Sequence, residues 1–231
     1  MSFEAAARLT ETLLALALIQ QSLEHLRRFR DERVIFLARI GLCLAVVLGV
    51  ASPWPLVGLA ILSLVVLYRF QGPFNGGSDR MGLLALWCLT LARLLPTPHG
   101  REVAFGYLGV QLMLSYFIAG WVKLRNPEWR TGRALRDVFQ FSAYPVAEDL
   151  RRWADRPRVL LIMSWTVIVF ELAFPLTLVS RTTLFAGLAV AAAFHLANAC
   201  LFGLNRFFWT WLAAYPAIVW LQERIGPSLP N

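Results

Sequence analysis

Long apolar runs recur along this chain, nearly free of charge and separated by short connections rich in arginine. A helix that crosses a membrane needs about 20 mainly apolar residues. Residues 34–52, 54–70, 82–96, 103–122, 159–180, 182–202 and 207–221 have that character, with Arg39 near the start of the first and Arg93 inside the third. Pro53 and Pro55 mark a turn between the first two runs, because proline is not tolerated in a helix interior. The core of a soluble domain could not absorb the excess: 58% of the 231 residues are hydrophobic and 16% charged, against about 45–50% and about 25% in soluble domains. The expected fold is an all-α membrane protein, a bundle of seven transmembrane helices. A further N-terminal segment, about 4–25, is amphipathic. It lies in the interface plane or forms an eighth helix inside the bundle, and Glu11, Gln20, Gln21 and Glu24 favour the interface plane.

A formal charge of +8 raises the question of a nucleic-acid partner, but the basic residues sit between the apolar runs, so orientation in the bilayer explains them better. With residues 27–33 on the cytoplasmic side, 17 of the 22 Lys and Arg residues gather there. Arg101, Arg181 and Arg224 lie outside, and Arg39 and Arg93 lie within spans. That is the asymmetry of the positive-inside rule. The expected partner is the lipid bilayer, with no nucleic acid. The apolar stretch Leu13–Ile19 is short and follows Glu4, Arg8 and Glu11, unlike the positive leader of a cleaved signal, so the N-terminus is expected to be retained. Cys43, Cys88 and Cys200 are far apart inside apolar runs and read as small buried hydrophobes. No internal repeat is visible, and residues 1–231 read as one domain. Its longest connection, 123–158, is cytoplasmic in this orientation. Arg133–Phe141 and Val146–Trp153 read there as short amphipathic helices around Ala143-Tyr144-Pro145, with Phe139, Phe141 and Trp153 suited to the headgroup region.

Ionisable groups at membrane depth are costly unless paired or hydrated, so each is a candidate for function. Tyr116, Gly120 and Lys123 are spaced i, i+4, i+7 and share one helix face. Gly120 leaves room beside Lys123 for a partner helix or a flat ring. An amine drawn out of water can serve as a base, or it can snorkel to the interface. Glu171, flanked by Phe170, Leu172 and Phe174, should face the bundle interior, where an arginine is the ordinary partner. Pro175 has no N–H to meet the Glu171 carbonyl, which places a bend there. His195 and Asn198 are i, i+3 on the next run. Asn198 could hold the imidazole, or both could link helices by hydrogen bonds. His25 and His99 lie at other depths, so no metal site is expected. Gly72–Asp79, with Asn75 and the Ser78-Asp79 pair, reads as a turn and N-cap, or as the rim of a site. Motifs of soluble enzymes are absent.

Tyr116–Leu124 followed by Trp129 and Gly132, then Glu171, then Phe194-His195-x-x-Asn198-x-x-Leu201-Phe202, resemble the vitamin K-dependent gamma-carboxylase family. Its bacterial members are called HTTM, or horizontally transferred transmembrane, proteins. The blocks match in order from about 70 to 215. The resemblance implies a bacterial inner-membrane protein that binds a reduced quinone of the naphthoquinol or menaquinol type. It implies that Lys123 deprotonates the quinol so that O2 can add, and that the strong base so formed drives capture of CO2 by a peptidyl glutamate. Tyr116, Gly120, Glu171, His195 and Asn198 would line or brace the same cavity. Two departures weigh against peptide carboxylation: only residues 222–231 follow the last span, where the family holds a large peptide-binding domain, and Gly77 stands where vertebrate members carry histidine. The alternatives are a non-catalytic membrane partner of another protein or peptide, docking through 123–158, and a quinone-linked electron-transfer subunit similar to the DoxX group.

Overall fold

The computed structural model describes residues 1–28, 32–50, 52–69, 77–141 and 148–226, and these are helical almost throughout. Ten α-helices follow in order: α1 Phe3–Arg28, α2 Arg33–Leu48, α3 Trp54–Arg69, α4 Gly77–Leu94, α5 Pro98–Arg125, α6 Pro127–Arg130, α7 Arg133–Phe141, α8 Pro157–Ala173, α9 Arg181–Phe202 and α10 Asn205–Ile225. Two 3-10 segments, Glu148–Asp155 and Phe174–Val179, stand before and after α8. Local chemistry accounts for several ends. Pro98 and Pro157 open their helices, where a missing N–H costs nothing. Pro175 cannot bond the Glu171 carbonyl, and the α-helix gives way to a 3-10 turn one residue beyond Ala173. Ser180 and Thr183 form a capping box at the start of α9, and Gly203, at φ 68°, closes it in the left-handed region.

Among the described residues, three helical stretches are long and apolar enough to cross a membrane on their own: Pro98–Arg125, Pro157–Val179 and Arg181–Phe202. The shortest, 22 residues, reaches about 33 Å at 1.5 Å per residue, against a hydrocarbon thickness of about 30 Å. The expected count was seven. Helices α2 and α3 have 16 residues each, about 24 Å, and α1, α4 and α10 carry charges that dilute their apolar character. The spans are apolar outside: Ile118, Val122, Ile162, Val169 and Leu196 are each about half exposed or more. A contiguous surface of this kind suits lipid. These helices fit a membrane protein.

The chain divides into two compact units. The first comprises Met1–Val110 with Trp209–Arg224. Within it α1 packs on α2 and α4, α2 on α3, and α3 on α4. The N-terminal segment is buried on one side, but the buried side holds polar residues. Thr10, Glu11, Gln21, Ser22 and His25 lie inward with Leu14 and Leu18, whereas Leu9, Leu16, Leu23 and Glu24 are exposed. Glu11 is held by Arg93 at 2.6 Å and Arg8 at 3.4 Å. Arg39 donates to Gln21 Oε1 at 2.9 Å, and Gln21 donates to Asp79 at 2.5 Å. Helix α1 therefore packs into this unit by a partly polar side: Glu11 and Gln21, which interrupt its apolar pattern, bind its neighbours, while Gln20 and Glu24 bond each other. Of the loop 72–79, residues 72–76 lie outside the described set, and Gly77, Ser78 and Asp79 begin α4.

The second unit comprises Gln111–Phe208 with Ile225–Asn231. Between α5 and α8 the chain forms a small cap with its own core of Leu135, Phe139 and Ala154 against Leu160. Phe139 is thus buried, at 3% exposure, and Trp153 stacks on it, whereas Phe141 is exposed. Of the aromatic residues expected at the headgroups only Phe141 faces outward. Residues 143–145, expected to separate two short helices, lie outside the described set, and the second element is a 3-10 segment. Cys43 and Cys88 are buried as expected, but Cys200 is exposed on α9.

Candidate functional site

Helix α5 carries two polar side chains on one face, and each meets a partner from a later helix of the second unit. Near its C-terminal end Lys123 reaches the carboxylate of Glu171 on α8. The ammonium donates to both oxygens, at 2.8 and 2.6 Å. The lysine side chain is 17% exposed and the glutamate 5%. The ordinary expectation for Glu171, an arginine partner, gives way to a lysine, and Lys123 does not extend freely into water. The indole of Trp129, two residues into α6, completes the setting: the amine lies 5.1 Å from its ring centroid. An ammonium over an aromatic face gains from the ring quadrupole.

Gly120 explains how the pair comes so close. A Cβ there would stand 2.8 Å from the Leu172 backbone nitrogen and 2.9 Å from Glu171 Cβ. The space that the sequence reserves beside Lys123 is taken by the backbone of α8. Of the two occupants foreseen for that gap, a partner helix or a flat ring, it is the helix that lies there.

About two turns earlier on α5, some 10 Å along the axis, the hydroxyl of Tyr116 lies 2.8 Å from His195 Nε2 on α9. Both are buried, at 3% and 5% exposure. Aromatic rings enclose them: Phe174 at 4.1 Å and Phe170 at 5.8 Å from the tyrosine ring, Phe194 at 5.2 Å and Phe207 at 6.5 Å from the imidazole. Tyr116, rather than Asn198, hydrogen-bonds the histidine. Asn198 is half-buried one turn further along α9 and takes no part in that bond. The two couples are linked through α8, since Phe170 and Phe174 of the upper couple flank Glu171 of the lower one.

In the sequence, Trp129 figures only as part of the family resemblance, without a role. It precedes Gly132 in a short polar turn, with nothing in its spacing to place it over Lys123. Its position comes from the cap: the Ser164 hydroxyl on α8 donates to the Trp129 carbonyl. Gly132, at φ 78°, lets the turn approach α8 so closely that a Cβ would lie 3.0 Å from the Leu161 nitrogen. Chemically the lower couple is an amine and a carboxylate that can exchange a proton, bounded by an aromatic wall. The upper couple is a hydroxyl and an imidazole in an apolar enclosure.

Residues 103–221, just over half of the chain, match a family model described as the HTTM domain. The matched stretch contains both couples and Trp129. No curated protein and no solved structure matches the chain.

Proposed function

The chain belongs to the HTTM family, whose domain is related to vitamin K-dependent gamma-carboxylase, and from that premise we propose that it is a multi-pass membrane protein that takes a proton from a lipid quinol at Lys123. The observation that supports this is the Lys123–Glu171 ion pair, largely buried among apolar helices with the amine near the Trp129 ring. A permanently ionised surface pair would need no such setting. The groups present suit a reduced quinone in their chemistry: Trp129 would offer an aromatic ring, Lys123 and Glu171 a donor and an acceptor for a phenolic hydroxyl, while Tyr116 and His195 link α5 to α9. When bound, a quinol supplies an acidic hydroxyl and, toward oxygen, reducing electrons.

The protein's part is proton handling. Lys123 Nζ passes its proton to Glu171 Oε2, which leaves a neutral amine beside a neutral acid. A setting of low dielectric narrows the gap between that state and the ion pair, because separated charges lose hydration there. The amine then accepts the hydroxyl proton, and the couple has gained one proton in all. Addition of O2 and capture of CO2 rest on the family resemblance alone. We place all seven apolar segments across a bacterial inner membrane with α1 packed on α2 and α4, and the 123–158 connection on the cytoplasmic side, on the strength of the arginine asymmetry.

The test is to purify the protein in mild detergent, extract it with organic solvent and quantify the quinones. Wild type is expected to carry a quinone, and Lys123→Met to retain about 10- to 100-fold less, the consequence of losing a charged hydrogen bond of about 1.5–3 kcal/mol. Lys123→Arg keeps the charge but cannot deprotonate, so it should still retain quinone while losing quinol-dependent oxygen uptake. Wild type without quinone, or equal amounts in Lys123→Met, would leave a non-catalytic membrane partner as the better account.

A further inference from the structure

The cap between α5 and α8 is tied at both ends to candidate spans, one ending at Arg125 and the other starting at Pro157. It cannot leave the membrane surface. The polar layer on each side of the hydrocarbon is about 5–8 Å thick, and a single helix with its side chains is about 10–12 Å across. A cap joined to both span ends therefore starts and finishes in the headgroup layer, and its membrane side lies against it. It is also held firmly. Beyond its core with Leu160, Trp165 Nε1 donates to the Arg130 carbonyl at 3.2 Å, and Ser164 binds the Trp129 carbonyl.

The cap has more basic than acidic residues, eight arginines against five carboxylates over 125–158. Arg130, Arg136, Arg156 and Arg158 are exposed and, among the described residues, none of the four is in an ion pair. Phe141, at 71% exposure, ends α7. A guanidinium meets a phosphate with paired, charge-assisted N–H donors, and an exposed aromatic ring among basic residues suits the boundary between headgroups and acyl chains.

We propose that this cap is a docking surface for anionic phospholipid headgroups, with the four arginines taking phosphate oxygens. Charge complementarity and continuity with the spans select lipid over a soluble acidic partner, because the cap starts and finishes in the headgroup layer before any partner arrives. Trp129 belongs to the same cap and covers Lys123, so lipid docking also fixes one wall of the Lys123–Glu171 couple.

Native mass spectrometry of the purified protein with added phosphatidylglycerol or phosphatidylcholine tests this. Wild type should retain phosphatidylglycerol over phosphatidylcholine by about tenfold, as expected for several arginines near an anionic surface, and the preference should shrink as salt rises. Changing Arg130, Arg136, Arg156 and Arg158 together to Gln should bring the two lipids near parity. The same four changed to Lys, a variant that keeps the charge, should keep most of the preference, and Arg181→Gln at the start of α9 should leave it intact. Equal retention of both lipids by wild type, or an undiminished preference in the Gln variant, overturns the proposal. So does loss of the bound lipid to inorganic phosphate at millimolar concentration, which would mark a free-phosphate site. If the fourfold Gln variant does not fold, Arg136→Gln with Arg158→Gln should lower the preference about threefold, and an unchanged preference there overturns the proposal.

Discussion

The two units each bury a carboxylate, and they compensate it differently. In the first, Glu11 is 4% exposed and sits between two arginines, Arg93 at 2.6 Å and Arg8 at 3.4 Å. Arg93 also holds Glu4 at 2.5 Å, and Arg8 donates to the Val46 and Val47 carbonyls at the end of α2, both at 2.6 Å. In the second, Glu171 is equally buried, but its partner is one lysine. Arginine stays charged in proteins, whereas a lysine amine can give up its proton. The Glu11 network therefore works as a clamp, tying α1 to α4 and to the end of α2. The Glu171 couple has the means to move a proton.

The largest expected effect separates clamp from couple. Glu171→Leu leaves a poorly solvated ammonium and should cost about 3–5 kcal/mol, read as a drop in thermal midpoint in detergent. Glu11→Leu should cost a similar amount, but without loss of bound quinone. The Lys123→Met, Glu171→Leu double variant should recover most of the stability, since an apolar pair can replace a buried ion pair at little cost, while quinol-dependent activity stays absent. A double variant that is still active would place the chemistry elsewhere. Next in size is Gly120→Ala: its Cβ would meet the α8 backbone rather than a flexible side chain, for a cost of about 1–3 kcal/mol. An unchanged midpoint would show that α5 and α8 can separate without penalty. The smallest is Tyr116→Phe, which removes one hydrogen bond to His195 and should cost about 1–2 kcal/mol, with the helical circular dichroism unchanged.

Much of this was legible in the chain itself. Apolar runs and arginine-rich connections mark the helices to within a few residues, because a 20-residue run without charge has few other folded states in water or lipid. Pro175 ends α8 close to where its missing N–H requires. Tyr116, Gly120 and Lys123 do share a working face. Other features were not legible. Glu11 and Gln21 weaken the apolar pattern of α1 and suggest an exposed helix, yet they are buried because Arg39 of α2 and Arg93 and Asp79 of α4 meet them. Cys200 sits in an apolar run but faces outward, since a membrane helix is apolar on its lipid side too. Phe139 and Phe141 are two residues apart in one amphipathic helix, and only the cap's core decides which is hidden.

The sequence alone determined the material: helices, their apolar exteriors, the basic connections and the short set of polar residues that must find partners. Those follow from local periodicity and from the cost of charge in hydrocarbon, which act along the chain. Only the tertiary structure decided the pairings, Lys123 with Glu171, Tyr116 with His195, Glu11 with Arg93. Those partners lie 48, 79 and 82 residues apart, and several cations could have satisfied each carboxylate. What selects among them is which helix faces meet, and at Gly120 that is set by a missing side chain that lets two backbones touch.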